Sequence, residues 1–158
     1  MKWVRTIWLI ASLCIGVFGS VHEYTEGSVL RPIELVDQFD EHVVITDFSK
    51  IAIVVFDREA SDVVNTFLQT QSPEYLAKHG AFLIADISEM PGFVAQAFAL
   101  PKMRKYPYRV LLIKDEEQGM LFPGEEHKIT IMYINHNKIK KISYITTANE
   151  LKAILDVN

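Results

Sequence analysis

The chain has 158 residues, of which 49% are hydrophobic, and it carries 16 basic and 20 acidic side chains. This is enough for one globular domain with a core, and the net charge of −4 indicates neither a disordered chain nor a nucleic-acid-binding protein. The single cysteine, Cys14, excludes an internal disulfide and a CxxC redox pair.

The first 19 residues have the pattern of an export signal. Two basic residues precede an uncharged, mostly apolar run at residues 7–18, which is shorter than the roughly 20 residues that a membrane helix needs. Val17 and Gly19 are acceptable residues at the third and first positions before a cut, so we predict cleavage between Gly19 and Ser20. The alternatives are a leader retained as a membrane anchor, and a lipoprotein, which Leu13 disfavours.

Cleavage at that site leaves residues 20–158, which we predict to form one domain. The leader holds two basic residues, no acidic residue, Cys14 and both tryptophans, so the remaining chain has a net charge of −6. Thiol chemistry is therefore excluded for the exported chain, and we expect no stable membrane insertion of it.

The exported chain begins with two extended pieces and a buried strand. Residues 33–36 and 43–46 flank the polar turn 37–42, which predicts a hairpin. Residues 51–56 form a continuous apolar run with β-branched side chains, typical of a strand buried on both faces. Apolar side chains at helical spacing then predict a helix: Val63, Val64, Phe67 and Leu68.

Two helices separated by a strand are predicted next. The Ser-Pro pair at residues 72–73 predicts the start of a short helix that stops at Gly80, before a strand at 81–85. Ser88 predicts the cap of a third helix, which Pro101 must end or kink because proline lacks the amide donor. The apolar stripe of this helix is predicted to be Phe93, Val94, Ala97 and Phe98.

The last third of the chain predicts a closing hairpin and a helix. Its elements are a strand at residues 109–113, a polar loop at 114–126, and strands at 129–134 and 139–145 joined by a turn at 135–138. Thr147 and Glu150 predict a capping box for a final helix. Together the elements predict an α/β sandwich with a mixed sheet and an N-terminal β-hairpin.

This order of elements resembles the thioredoxin fold. More closely, the chain resembles the YtfJ family of exported, thioredoxin-like proteins of Gram-negative bacteria. The likeness is carried by collinear segments at residues 27–33 (Gly-Ser-Val-Leu-Arg-Pro-Ile), Asp86 with 90–93 (Met-Pro-Gly-Phe), 105–108 (Lys-Tyr-Pro-Tyr) and the hairpin at 128–141. The resemblance implies a thioredoxin-like mixed-sheet sandwich and a periplasmic location.

The comparison with thioredoxins also predicts a redox-inactive protein. By spacing from Phe56, the positions of a CxxC motif fall on residues 61–64, which read Ser-Asp-Val-Val and cannot exchange electrons with a disulfide. Neither Pro107 nor Pro123 directly precedes residues 129–134, where the resemblance would place a cis-proline.

Catalysis and metal binding have weak support in the sequence. Ser61 has no histidine nearby in sequence to act as its base, so a non-thiol enzyme would depend on Asp57, Asp62 or Asp86 as acid or base. The five histidines show no metal-ligand spacing. After cleavage, the amino terminus 20–22 (Ser-Val-His) could hold Cu(II) or Ni(II), but we predict no catalytic, cofactor or metal site.

A binding or adaptor role is the favoured interpretation, with a periplasmic protein or a small molecule as partner. The basic residues of segment 102–109 alternate with two tyrosines, and the net charge of −6 argues against nucleic acid. We predict the partner or ligand surface to include Asp57, Arg58, Ser61, Lys102, Arg104, Lys105, Tyr106 and Tyr108. The apolar residues 120–122 either cover the core or belong to a recognition surface.

Overall fold

A computed structural model of the chain describes residues 22–45 and 50–157. The export signal with its predicted cleavage site, Cys14 and the first two residues of the predicted Cu(II) or Ni(II) motif lie outside the described residues, as does the end of the second predicted extended piece. Within the described part, no helix is long and apolar enough to cross a membrane.

One mixed sheet of seven strands runs through the described residues. The strands are β1 (Ile33–Asp37), β2 (His42–Ile45), β3 (Ile51–Val55), β4 (Ala81–Asp86), β5 (Val110–Ile113), β6 (Ile129–Asn135) and β7 (Lys138–Ile145). Their order across the sheet is β2-β1-β5-β4-β3-β6-β7. β3, β4 and β5 are parallel, while the first hairpin and the last hairpin pair with them in antiparallel fashion. The predicted fold class, with its N-terminal hairpin, is confirmed.

β3 divides the core into two apolar layers. All five of its residues are buried, because side chains alternate between the two faces and both faces are covered. Ile51, Ile53 and Val55 pack on the side of α1 (Arg58–Leu68) and α6 (Ala148–Asp156). The other face packs against Leu30, Ile84 and Phe122, which come from the chain before β1, from β4 and from the segment before β6.

The helix predicted around Pro101 differs from expectation. Helical backbone runs through α3 (Gly92–Val94), a π-helical turn (Ala95–Ala99) and α4 (Leu100–Met103), which together we name the composite helix. Pro101 does not end this helix. The Leu100 amide bonds to the Ala95 carbonyl five residues back, so the hydrogen bonds have already changed from the four-residue to the five-residue spacing before the proline. Ser88 is not its cap, because the helix starts after Pro91 with no side-chain cap.

The π turn also changes which face of the composite helix is buried. Ala95 and Leu100 are buried, whereas Phe93 and Phe98 are 75% and 68% exposed. The predicted apolar stripe is therefore wrong. Phe93 is already exposed before the π turn, and the wider turn rotates later side chains such as Phe98 relative to a regular 3.6-residue period.

Two short helices also differ from the prediction. α2 (Tyr75–Lys78) is a single turn, because the predicted start at 72–73 forms a turn in which the Tyr75 amide donates to the Ser72 carbonyl. The predicted loop 114–126 contains α5 (Glu116–Gly119), whose cap is the Asp115 side chain. Within that segment Phe122 is buried and covers the core, while Met120 is 61% exposed.

The closing elements follow the predicted local signals. His136 and Asn137 join β6 to β7 with φ values of 50° and 57°, as a two-residue hairpin of the type I′ kind requires. The Thr147 side chain accepts from the Glu150 amide, and the Glu150 carboxylate accepts from the Thr147 amide. The predicted capping box of α6 is thus confirmed.

Candidate binding groove

A groove of about 460 Å³ lies between α1 and the composite helix, at the carboxyl ends of β3 and β4. Its apolar wall contains Ile87, Met90, Val94, Phe98 and Met103. Ile87 is buried and Phe98 is mostly exposed, so the groove runs from the core to an open apolar lip. Polar side chains from the start of α1 form its other wall.

Asp57 organises the polar wall. It is the N-cap of α1, with Oδ1 accepting from the Ala60 amide over 2.9 Å. Its Oδ2 accepts from the His127 amide over 2.8 Å, which ties the segment before β6 to the start of the helix. The His127 ring faces the same acidic turn, with Nδ1 lying 3.4 Å from Glu59 Oε2.

An ion-pair network crosses one end of the groove. The Lys102 ammonium lies 3.3 Å from Asp62 Oδ1, and Arg58 Nε lies 3.5 Å from Asp62 Oδ2. Lys102 thus links the composite helix to α1. Burial raises the pKa of the neighbouring Tyr106 hydroxyl, and the Lys102 charge partly opposes that shift. Tyr106 lines the groove and offers it a hydroxyl group.

Five of the eight residues predicted for the partner or ligand surface line this groove: Asp57, Arg58, Ser61, Lys102 and Tyr106. Lys105 lies on the exposed surface outside the residues that line it. Asp62 and Asp86, considered in the sequence as acid or base, also line it.

Arg104 and Tyr108, which the sequence placed on the same surface, hold the fold together. Arg104 donates to the Gln38 carbonyl over 2.8 Å and pairs with the Asp40 carboxylate, so it binds the turn of the first hairpin. Tyr108 is buried, and its hydroxyl donates to Asn65 Oδ1 over 3.0 Å. Burial raises the pKa of the Tyr108 hydroxyl strongly.

Among residues 22–45 and 50–157, no histidine pairs with the Ser61 hydroxyl. Ser61 lies inside α1, because the helix begins at Arg58 and the Ser61 amide bonds to the Asp57 carbonyl. The His127 ring contacts the carboxylates of Asp57 and Glu59 instead. Val64, at the second predicted cysteine position, is fully buried in the core.

Sequence reasoning missed three contributors to the site. His127 stands 70 residues from Asp57, in a loop with a φ of 60°, and no local pattern links the two. Met90 falls between the predicted cap Ser88 and the predicted apolar stripe, and Phe98 belongs to that stripe. The Met90-Pro91-Gly92-Phe93 segment was the available signal, since a proline followed by glycine favours a late helix start.

The described residues contain no group of three or more His, Cys, Asp or Glu side chains arranged to hold a metal ion. Their peptide bonds are all trans, and Lys128 is the residue directly before β6. Since Cys14 is the single cysteine of the chain and lies outside the described residues, the described residues that line the groove include no thiol.

Comparisons with known proteins identify the fold. No protein-family model and no curated protein matches the sequence. Among solved structures, a candidate thioredoxin from Neisseria meningitidis is 13% identical with a TM-score of 0.57, covering 84% of this chain and 90% of its own. Peroxidoxin BcpB from Mycobacterium tuberculosis is 15% identical with a TM-score of 0.55, covering 86% and 98%. A thiol:disulfide interchange protein from Bacteroides sp. is 14% identical with a TM-score of 0.51, covering 84% and 91%.

Identities this low establish the architecture and not the activity. The names of these structures describe thiol-based redox proteins, whereas the present chain has one cysteine, which precedes the described domain. The chain has a thioredoxin-like fold.

Proposed function

We propose that this chain is a redox-inactive binding module of the thioredoxin fold, which holds an apolar segment of a partner polypeptide in the groove between α1 and the composite helix. The observation that carries the proposal is the exposure of Phe98, at 68%, on the lip of a groove whose inner wall is apolar. Clusters of exposed apolar side chains beside a groove are typical of recognition surfaces.

The groove has the chemistry of a polypeptide site. Methionine side chains such as Met90 and Met103 adapt to irregular apolar partners, and Phe98 offers a large aromatic contact. Tyr106 and Asp57 supply hydrogen-bonding groups on the rim, which suits the amides of an extended segment. A compact charged ligand fits less well, because Asp62 is already paired with Lys102 and Arg58.

We also propose that the protein is an exported, periplasmic member of the YtfJ family. This rests on the basic and apolar pattern of residues 1–19 and on the collinear segments from residue 27 onward. Holding a partner by non-covalent contacts requires no thiol, and no cysteine is among the described residues that line the groove. Its work would be to hold or to bridge other proteins.

Binding to an array of extended peptides of graded apolar content tests the groove. We expect the protein to retain the apolar peptides. Phe98→Asp should weaken binding at least about tenfold, because it places a charge on a surface that the bound peptide would bury. Phe39→Asp is the matched control, since Phe39 is also exposed, at 54%, but lies outside the groove. Equal binding by the two variants would refute the proposed site.

A further inference from the structure

Four lysines lie at the end of the sheet opposite the groove. Lys138, Lys140 and Lys141 belong to β7, and Lys50 directly precedes β3. The Ile134 amide of β6 donates to the Lys50 carbonyl over 2.8 Å, so Lys50 lies only two strands away from β7. The side-chain stem of Lys50 lies beside Gly80, which directly precedes β4, while the other three lysines follow one another along the edge strand β7. We name these four residues, which share one end of the sheet, the lysine surface.

A bulge in β7 shapes this surface. Tyr133 pairs with Lys141 and Ile134 pairs with Ile139, which leaves Lys140 as the extra residue. All four lysines are exposed, and the Lys141 ammonium lies 5.6 Å from the centre of the Tyr133 ring. The bulge therefore presents two consecutive lysines to the surroundings.

The positive charge of the lysine surface is not neutralised within the described part of the chain. None of its four ammonium groups is ion-paired with residues 22–45 or 50–157. Four lysines elsewhere in the domain do have carboxylate partners: Lys102, Lys114, Lys128 and Lys152. The nearby Glu26 carboxylate accepts the Ile142 amide of β7.

The opposite end of the sheet is acidic. A cavity of about 590 Å³ beside the groove is lined there by six carboxylates: Asp57, Asp86, Glu89, Glu116, Glu125 and Glu126. β3 separates Lys50 from Asp57, so the two ends lie roughly 20 Å apart. The lysine surface and this acidic cavity therefore lie at opposite ends of the sheet.

We propose that the lysine surface binds an anionic lipid bilayer. Its ammonium groups spread over the end of a sheet and line neither the groove nor the acidic cavity, which favours an extended anionic surface over a compact anion. A lysine ammonium is a hydrated point charge and does not form the two parallel hydrogen bonds by which an arginine grips a single phosphate. It is therefore suited to the spread-out negative potential of an acidic lipid surface. Such a bilayer attracts the lysine surface, repels the acidic end, and leaves the groove facing away from the membrane.

Vesicle co-sedimentation of the full chain tests this surface. The vesicles contain phosphatidylcholine alone, or phosphatidylcholine with phosphatidylglycerol. A triple variant, Lys138→Gln, Lys140→Gln and Lys141→Gln, removes most of the surface. The matched control carries the same change at Lys78, Lys128 and Lys152, with residues 1–21 unaltered in every protein.

We expect the wild type and the control to partition onto the anionic vesicles and to dissociate as salt is raised. The lysine-surface variant should bind about a hundredfold more weakly, since each of the three lysines contributes roughly fivefold. Circular dichroism verifies that all three proteins are folded. Equal binding by the two triple variants, or binding to neutral vesicles as tight as to anionic ones, would overturn the proposal. Retention by immobilised polyglutamate without vesicle binding would assign the surface to an acidic polypeptide instead and overturn it too.

Discussion

At the scale of single residues, Asp57 connects the fold to the proposed site. One carboxylate oxygen caps α1 at Ala60, and the other holds the His127 amide from a distant loop. Its position directly after a buried strand could be predicted, since Asp is a preferred N-cap. The second contact could not, because it joins residues 70 positions apart.

Asp57→Ala should lower the free energy of unfolding by about 1–2 kcal/mol, because it removes a helix cap and leaves a second amide without its partner. Asp57→Asn keeps an acceptor oxygen and should cost less. Urea unfolding of the three proteins measures the difference. If the alanine variant were as stable as the wild type, the capping role would be wrong.

Gln38 has the clearest structural role among the buried polar residues. It is 1% exposed; its side-chain amide donates to the Tyr108 carbonyl over 2.8 Å, and its side-chain oxygen accepts from the Val110 amide over 2.9 Å. The Gln38 side chain thus satisfies backbone groups at the start of β5, just past the last residue of β1 that pairs with that strand. The sequence offered no signal for this role, since Gln38 lies in a polar turn.

Gln38→Ala should therefore destabilise the protein by about 2–3 kcal/mol, because two buried backbone groups lose their partners. Gln96→Ala, on an exposed position of the composite helix, is the control and should change stability by less than about 0.5 kcal/mol. Chemical denaturation compares the two variants. Similar small effects at both positions would contradict the role of Gln38.

At the scale of elements, regular periodicity predicted β3, α1, the last hairpin and α6, because each has a strong local pattern or a capping signal. The composite helix could not be predicted in detail. A 3.6-residue pattern does not reveal a π turn. Pro101 predicts a break in the helix, whereas the backbone instead forms a wider turn just before the proline. The groove depends on this element, so its apolar lip was not foreseen either.

The capping box of α6 should make stability depend on pH. The Thr147 hydroxyl, with the Thr146 and Thr147 amides, lowers the pKa of the Glu150 carboxyl. A depressed folded-state pKa means that its contribution is present above the unfolded pKa and is lost as pH falls through the folded pKa. The stability difference between wild type and Glu150→Gln should therefore shrink from neutral to acid pH.

Urea unfolding of both proteins at neutral and at acid pH measures this change. Glu117→Gln is a matched control, because Glu117 is also exposed but belongs to α5, away from the capping box. A difference for Glu150→Gln that stays constant over the pH range would show that the carboxylate does not stabilise the helix start.

At the scale of the whole molecule, the order of elements was enough to predict the thioredoxin-like fold, because alternating strands and helices leave few ways to build a mixed sheet. The site was only half predictable. Arg104 and Lys102 stand two residues apart and look alike in sequence, yet one binds the first hairpin and the other faces the groove. Tertiary contacts decide that difference.

The export proposal makes a simple prediction for the intact protein. Removal of residues 1–19 should leave a mature chain that begins at Ser20 and fractionates with the periplasm. Intact-mass analysis of the protein from its native cells measures this directly. A mass that retains the leader would contradict cleavage and favour the anchored alternative.

The most direct test of the central claim is site-specific photo-crosslinking in the native cell, with a benzophenone amino acid in place of Phe98 or of the matched, exposed Phe39. A binding groove predicts discrete adducts with a polypeptide from position 98 and none of the same mass from position 39. Suppression of these adducts by Met90→Asp, on the inner wall, would place the partner inside the groove. No adduct at position 98, or identical adducts from both positions, would contradict the account.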